Sequence, residues 1–159
     1  MKRALIGIFT LIGLVAPPAL RAGDDDLVVI INKSNPVENL TKAQLRKMIL
    51  GEQDSWAGGK KVNVILRTVG QPERDGALHS ICGMSEDDFN QHILHANFSG
   101  DTGGAPKALS SAVAVRQLVM TLPGGVGFVR ASDLNDSVKA VSIDGIAAGQ
   151  PGYKIKVGK

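Results

Sequence analysis

Arg67 and Arg74 bracket the segment Leu66-Arg67-Thr68-Val69-Gly70-Gln71-Pro72-Glu73-Arg74. A guanidinium presents a planar fork of donors that matches the oxygens of a carboxylate or a phosphate. The segment reads as the end of a buried strand, a loop carrying a glycine, and a helix that opens at Pro72, where the missing N–H is no loss. In an open α/β sheet, ligands bind beyond the carboxyl ends of the strands. A helix start adds unpaired N–H groups and partial positive charge, which suit an oxyanion. The chemistry implied is capture of a small anion, with no bond made or broken. On residue chemistry alone a second account is stronger. Glu73 and Asp75 would pair with the two arginines as a solvated network and repel an incoming anion.

Other reactive residue types form no comparable constellation. His92 and His95 are three apart and share a helical face with His79 nearby, but a zinc site wants three or four convergent ligands. The histidines are expected on amphipathic helix surfaces, and no metal site is expected. Cys82 follows Ile81 on an apolar stretch and has no recognisable base or oxyanion loop beside it, so it reads as a buried, inert thiol. No Gly-x-Ser-x-Gly, His-Glu-x-x-His or Walker pattern occurs. The acids Glu86-Asp87-Asp88, behind Ser85, fit the first turn of a helix. No catalytic residue and no cofactor are expected.

The elements that must hold the arginine loop follow from hydrophobic patterning. Leu27-Val28-Val29-Ile30-Ile31 is a continuous apolar run, the mark of a strand buried on both faces of an α/β sheet. Thr41 and Gln44 fit a capping box, Leu45, Met48 and Ile49 give a helical face, and Gly51 is a natural stop. A second strand spans 62–66, and Pro72 starts a helix running to about Ile81. Phe89, Ile93 and Ala96 mark one face of the helix capped by Ser85. Ser110 or Ser111 starts a further helix carrying Val113, Val115, Leu118 and Val119, ended by Pro123-Gly124-Gly125. Val126-Gly127-Phe128-Val129 is a short strand, and 138–143 and 153–157 read as two more. Strands alternating with helices make this an α/β protein.

Charge excludes one class of partner. Of the 18 basic residues, Lys2, Arg3 and Arg21 lie in the first 22 positions, leaving 15 basic against 15 acidic residues beyond. A neutral remainder with few aromatics has no footprint for nucleic acid. The first 22 residues read as an export signal: a basic start, 13 uncharged and mainly apolar residues from Ala4 to Ala16, then Pro17-Pro18 and a small-residue cleavage site after Ala22. That run is too short to span a membrane, so no stable insertion is expected after cleavage. Cys82 is the only cysteine, which leaves no lipid anchor near the cleavage site and no intrachain disulfide. Export without disulfides points to a bacterial periplasm. Residues 23–159 are expected to form a single domain.

The order of motifs resembles a known family. Asn32-Lys33-Ser34-Asn35-Pro36-Val37, then Leu45-Arg46-Lys47-Met48-Ile49-Leu50-Gly51-Glu52 with Trp56 and Gly59, are similar to the periplasmic phosphate-binding proteins of ABC importers. So are Arg67 with its following helix, Phe98-Ser99-Gly100, Pro106, and Leu122-Pro123-Gly124-Gly125-Val126-Gly127-Phe128-Val129. The resemblance implies one lobe of a periplasmic-binding-protein-like (type II) fold, with a mixed sheet flanked by helices. Family members are two-lobed clamshells, and this chain looks like the small single-lobe branch. The family's phosphate loop resembles Arg-Ser-x-x-Ser-Gly-Thr. Here Arg67 matches and Thr68 keeps a hydroxyl, while Gln71, Pro72 and Glu73 stand where Ser, Gly and Thr would be.

The resemblance implies a solute-binding protein, not an enzyme. Phosphate or another small oxyanion would be held with modest affinity by Arg67, Thr68, Gly70 and Gln71, assisted by Arg74, Ser34 and Asn35, with a transporter as partner. Arg67 is expected to face solvent. The alternative is an interaction module that docks on an envelope protein or on a second copy of the chain.

Overall fold

A computed structural model of the protein describes residues 23–100 and 104–159. The expected export signal, residues 1–22, lies outside the described residues. In chain order the elements begin with β1 (Leu27–Ile31), β2 (Asn39–Leu40), α1 (Lys42–Ile49), β3 (Asn63–Arg67) and α2 (Pro72–Ala77). A π-helical turn, Leu78–Cys82, leads to α3 (Glu86–Ser99), β4 (Lys107–Leu109) and α4 (Ala112–Thr121). The chain continues through β5 (Gly125–Arg130), β6 (Lys139–Ala140) and β7 (Ser142–Ile143).

Local chemistry sets the helix starts. Thr41 Oγ1 accepts from the Gln44 N–H at 3.1 Å while Gln44 Oε1 accepts from the Thr41 N–H at 2.9 Å, which completes the capping box. Ser85 and Asp88 repeat that exchange at α3. Hydrogen bonds from the Ser85 hydroxyl and N–H hold the Asp88 carboxyl below the usual carboxylate range. Ser111, rather than Ser110, caps α4 by accepting from the Ala114 N–H at 3.1 Å.

The main sheet has the order β4-β3-β5-β1-β6. β3 runs parallel to β4 and β5, whereas β1 runs antiparallel to β5 and β6, so the sheet is mixed. The layers explain the apolar run of β1. Val28 and Ile30 pack with Ile65, Val129, Val115 and Val119 on the α4 side. Leu27, Val29 and Ile31 pack with Leu66, Phe128, Leu45, Ile49 and Ile81 on the side of α1, α2 and the π turn. Each of these side chains contributes about 1.5–3 kcal/mol by leaving water. Gly127 lets α4 lie close on β5, because a Cβ there would stand 2.8 and 2.9 Å from methyls of Val115 and Val119.

Three expectations change. The helix from Pro72 ends at Ala77 and continues to Cys82 with wider π-type spacing, stopped by Gly83 at φ 67°. The strand expected at 138–143 divides: β6 stays on β1, and β7 leaves to pair in parallel with β2. At 153–157 no strand forms, although Leu27 N–H donates to the Ile155 carbonyl at 3.0 Å and Val157 N–H to Asp25 at 2.8 Å. The helix carrying Val113, Val115, Leu118 and Val119 forms as α4, with Val115 and Val119 buried and Val113 52% exposed.

Candidate functional site

Arg67 is the last residue of β3, and the chain turns immediately after it. Thr68 N–H donates to the Leu109 carbonyl at 3.0 Å, carrying the pairing with β4 one residue further. The Gln71 N–H then closes a turn on the Thr68 carbonyl at 3.2 Å, with Gly70 at φ 82°, where glycine is favoured over residues with a Cβ. This geometry brings Arg67, Thr68, Gly70 and Gln71 together. Arg67 does not face solvent. Its side chain is 11% exposed, and Nη2 donates to Gln71 Oε1 and to the Ser110 carbonyl, both at 2.9 Å. The start of α4 approaches the loop from β4, and its backbone supplies the acceptor that draws Arg67 inward.

A buried carboxylate lies within this cluster. Glu73 has a 6% exposed side chain, and its Oε1 accepts from Arg130 Nε at 2.9 Å. Arg67 Nη1 stands 3.6 Å from the same oxygen, close enough for charge attraction but beyond a hydrogen bond. Arg67 Nε and Glu73 Oε2 are both buried without a hydrogen-bond partner. Arg130 was not singled out by sequence. It ends β5, and because β5 runs parallel to β3 it emerges at the same, carboxyl end of the strands as Arg67. Only strand direction could have revealed that.

Arg74, expected to assist at the anion, is engaged elsewhere. Nε and Nη2 donate to Glu86 Oε2 and Oε1, each at 2.7 Å, and Nη1 donates to the Arg67 carbonyl at 3.3 Å. Glu86 thus does more than favour the start of α3. Ser34 and Asn35 are not brought to the loop at all. β1 is antiparallel to β3, with Ile31 opposite Val126 and Val126 opposite Val64, so the loop after β1 lies at the amino end of β3. Three extended residues, about 10 Å, separate Val64 from Arg67. Ser34 instead donates through its N–H and hydroxyl to Asn32 Oδ1, and Asn35 Oδ1 accepts from the Val37 N–H.

Cys82 is buried, and desolvation pushes its thiol from the ordinary 9.0 to about 11. Among the described residues no group of three or more His, Cys, Asp or Glu could hold a metal ion. No helix among them is long and apolar enough to cross a membrane. A cleft of about 270 Å³, lined in part by Asp54, Lys61, Asn63 and Lys107, opens at the amino end of β3, away from Arg67.

No protein-family model matches the chain. Solved structures do. A protein of Clostridium perfringens assigned as a phosphate ABC transporter substrate-binding protein, with bound phosphate, superposes with a TM-score of 0.68 at 22% identity, over 84% of this chain and 53% of its own. The chain shares its fold with about half of that structure. PstS of Borrelia burgdorferi matches with a TM-score of 0.62 at 15% identity, over 84% of this chain and 55% of its own. An ABC-type phosphate transport receptor of Vibrio cholerae matches with a TM-score of 0.57 at 21% identity, over 78% and 48%. The chain therefore spans about half the length of the structures it matches.

Proposed function

We propose that this chain is an exported solute-binding lobe that takes phosphate or a similar small oxyanion at the carboxyl end of β3. Residues 23–159 form the working domain, released into the periplasm after cleavage near Ala22. The observation that carries the reading is the convergence of Arg67 and Arg130 on the single carboxylate of Glu73. Two cations against one anion leave the cluster net positive, and Thr68, Gly70 and Gln71 form the turn that follows Arg67 directly. The structures with which the chain shares its fold include one with bound phosphate. A single lobe leaves part of the anion in water, so the dissociation constant is expected on the order of 1 mM, about −4 kcal/mol.

A thermal-shift screen with phosphate, sulfate and small carboxylates tests this, because a ligand that binds only the folded state raises its stability by mass action. An unchanged midpoint with every anion at 20-fold its expected dissociation constant (roughly, by the same arithmetic) would remove the oxyanion reading. Mass spectrometry of the exported protein tests cleavage near Ala22.

A second reading draws on α3. Leu94 and Phe98, one turn apart on this helix, are 57% and 84% exposed, and Phe89 is the helix's buried residue. Such a face favours a module that docks on an envelope or transporter protein. It predicts no anion effect on stability, together with loss of partner binding in Phe98→Ser.

A further inference from the structure

Within the oxyanion reading above, we infer that Glu73 is a resident competitor for the ligand and that Arg130 is a second ligand-binding residue. The carboxylate sits where negative oxygen is wanted but fits the place poorly. It makes one hydrogen bond, to Arg130 Nε at 2.9 Å. It comes no nearer than 3.6 Å to Arg67 Nη1. It leaves its own Oε2 and Arg67 Nε buried and unpartnered.

The misfit has a covalent origin. Glu73 is tethered to α2, the six-residue helix that follows the loop directly, and two carboxylate oxygens on a short stem cannot meet two guanidinium forks that arrive from different strands. A free tetrahedral oxyanion carries more oxygens and no tether, so it can face both forks at once. The way in lies along Arg130, whose side chain is 36% exposed and whose terminal nitrogens make no hydrogen bond among the described residues. Arg67 is held at the rear by Gln71 and the Ser110 carbonyl, so its position is set before any ligand arrives. Binding exchanges one anion for another across the same pair of cations. The affinity that is measured is the difference between the two, and it is kept low by design of the loop.

Calorimetric titration of inorganic phosphate into the mature chain and two variants separates the possibilities, with circular dichroism to establish folding. Wild type should bind weakly, Glu73→Gln at least tenfold more tightly, and Arg130→Ala at least fivefold more weakly. If wild type binds phosphate but folded Glu73→Gln binds no tighter, or Arg130→Ala binds equally well, the competitor inference is wrong while the oxyanion reading stands. If neither wild type nor Glu73→Gln binds phosphate, the oxyanion reading itself fails. Should Glu73→Gln not fold, the carboxyl carbon of Glu73 in labelled wild type replaces it. Its resonance should move as phosphate is added, and an unmoved resonance at saturating phosphate overturns the inference.

Discussion

Arg74 holds Glu86 through two parallel hydrogen bonds of 2.7 Å, Nε to Oε2 and Nη2 to Oε1, joining α2 to the start of α3. The same guanidinium lies 5.4 Å from the Phe89 ring centroid and donates its third nitrogen to the Arg67 carbonyl. One cation thereby fixes a helix pair and the backbone from which Arg67 projects. A residue that sequence suggests as a ligand contact is bound instead to Glu86 and to the backbone of Arg67.

Arg74→Ala should accordingly destabilise the fold by about 1.5–3 kcal/mol, the scale of hydrogen bonds to charged groups. Arg74→Lys should recover only part of this, because an ammonium cannot make the paired contact. Urea denaturation measures both. Equal stability of Arg74→Ala and wild type would mean that the pair contributes nothing.

The fold was legible wherever one residue type has one physical use. The apolar run of β1, the Thr41 capping box and the Ser85 cap are local facts, written in neighbouring residues. The break between β6 and β7 was not legible, because it depends on β2, a two-residue strand with no β-propensity signal of its own. The site divides in the same way. Arg67, Thr68, Gly70 and Gln71 are neighbours in sequence and remain neighbours in space. Ser34 and Asn35 were misplaced because the direction of β1 relative to β3 is a matter of topology, and Arg130 was missed for the same reason. The solvated network read from Glu73 and the arginines was right in its partner for Arg67 and wrong in its solvation.

Close packing of α4 on β5 makes a second test. Gly127→Ala would bring a methyl to 2.8 and 2.9 Å from Val115 and Val119, contacts that the β-branched side chains cannot relieve by rotation. Overpacking of this kind costs about 1–3 kcal/mol. A smaller side chain opposite should restore part of the loss, so Gly127→Ala with Val115→Ala is expected to be less damaging than the sum of the single changes. Strict additivity in a double-mutant cycle would contradict direct contact.

Cys82 supplies a pH prediction. Its folded pKa is raised, so the folded state favours the neutral thiol more than the unfolded chain does. The stability tied to this preference is fully present below the ordinary value of 9.0 and is lost as pH rises through about 11. Burial also moves the Tyr153 phenol upward, with the Asp26 charge adding to the effect, and its hydroxyl donates to the Leu27 carbonyl at 2.7 Å. Both groups therefore act in the same direction. Thiol labelling of the native protein at pH 7 should be slow, and denaturation midpoints should fall between pH 9 and 11 by less in Cys82→Ser than in wild type. The serine itself should lower stability by roughly 1–3 kcal/mol through a buried hydroxyl. Rapid native labelling at pH 7 would show that the thiol is open to solvent.

Arg67 is tied into the fold and belongs to the proposed anion site, and two variants separate the roles. Arg67→Ala removes the donors to Gln71 and the Ser110 carbonyl and leaves Glu73 to Arg130 alone. The fold should lose about 1–3 kcal/mol, more than a solvent-facing arginine would cost. Phosphate affinity should fall by a further amount of about 1.5–3 kcal/mol, roughly 10- to 150-fold. Arg67→Lys keeps the charge without the planar fork, so it should retain the salt dependence of binding while losing much of the affinity. Lys60→Ala is the control, since Lys60 is exposed in the loop before β3, at the opposite end of that strand from Arg67. Calorimetry at several salt concentrations, beside denaturation of the same samples, reads the two effects separately. A weaker fold with unchanged phosphate affinity would make Arg67 a structural residue and move the anion elsewhere. Equal losses in Lys60→Ala and Arg67→Ala would reduce the binding to net charge alone, and the loop would then hold no site.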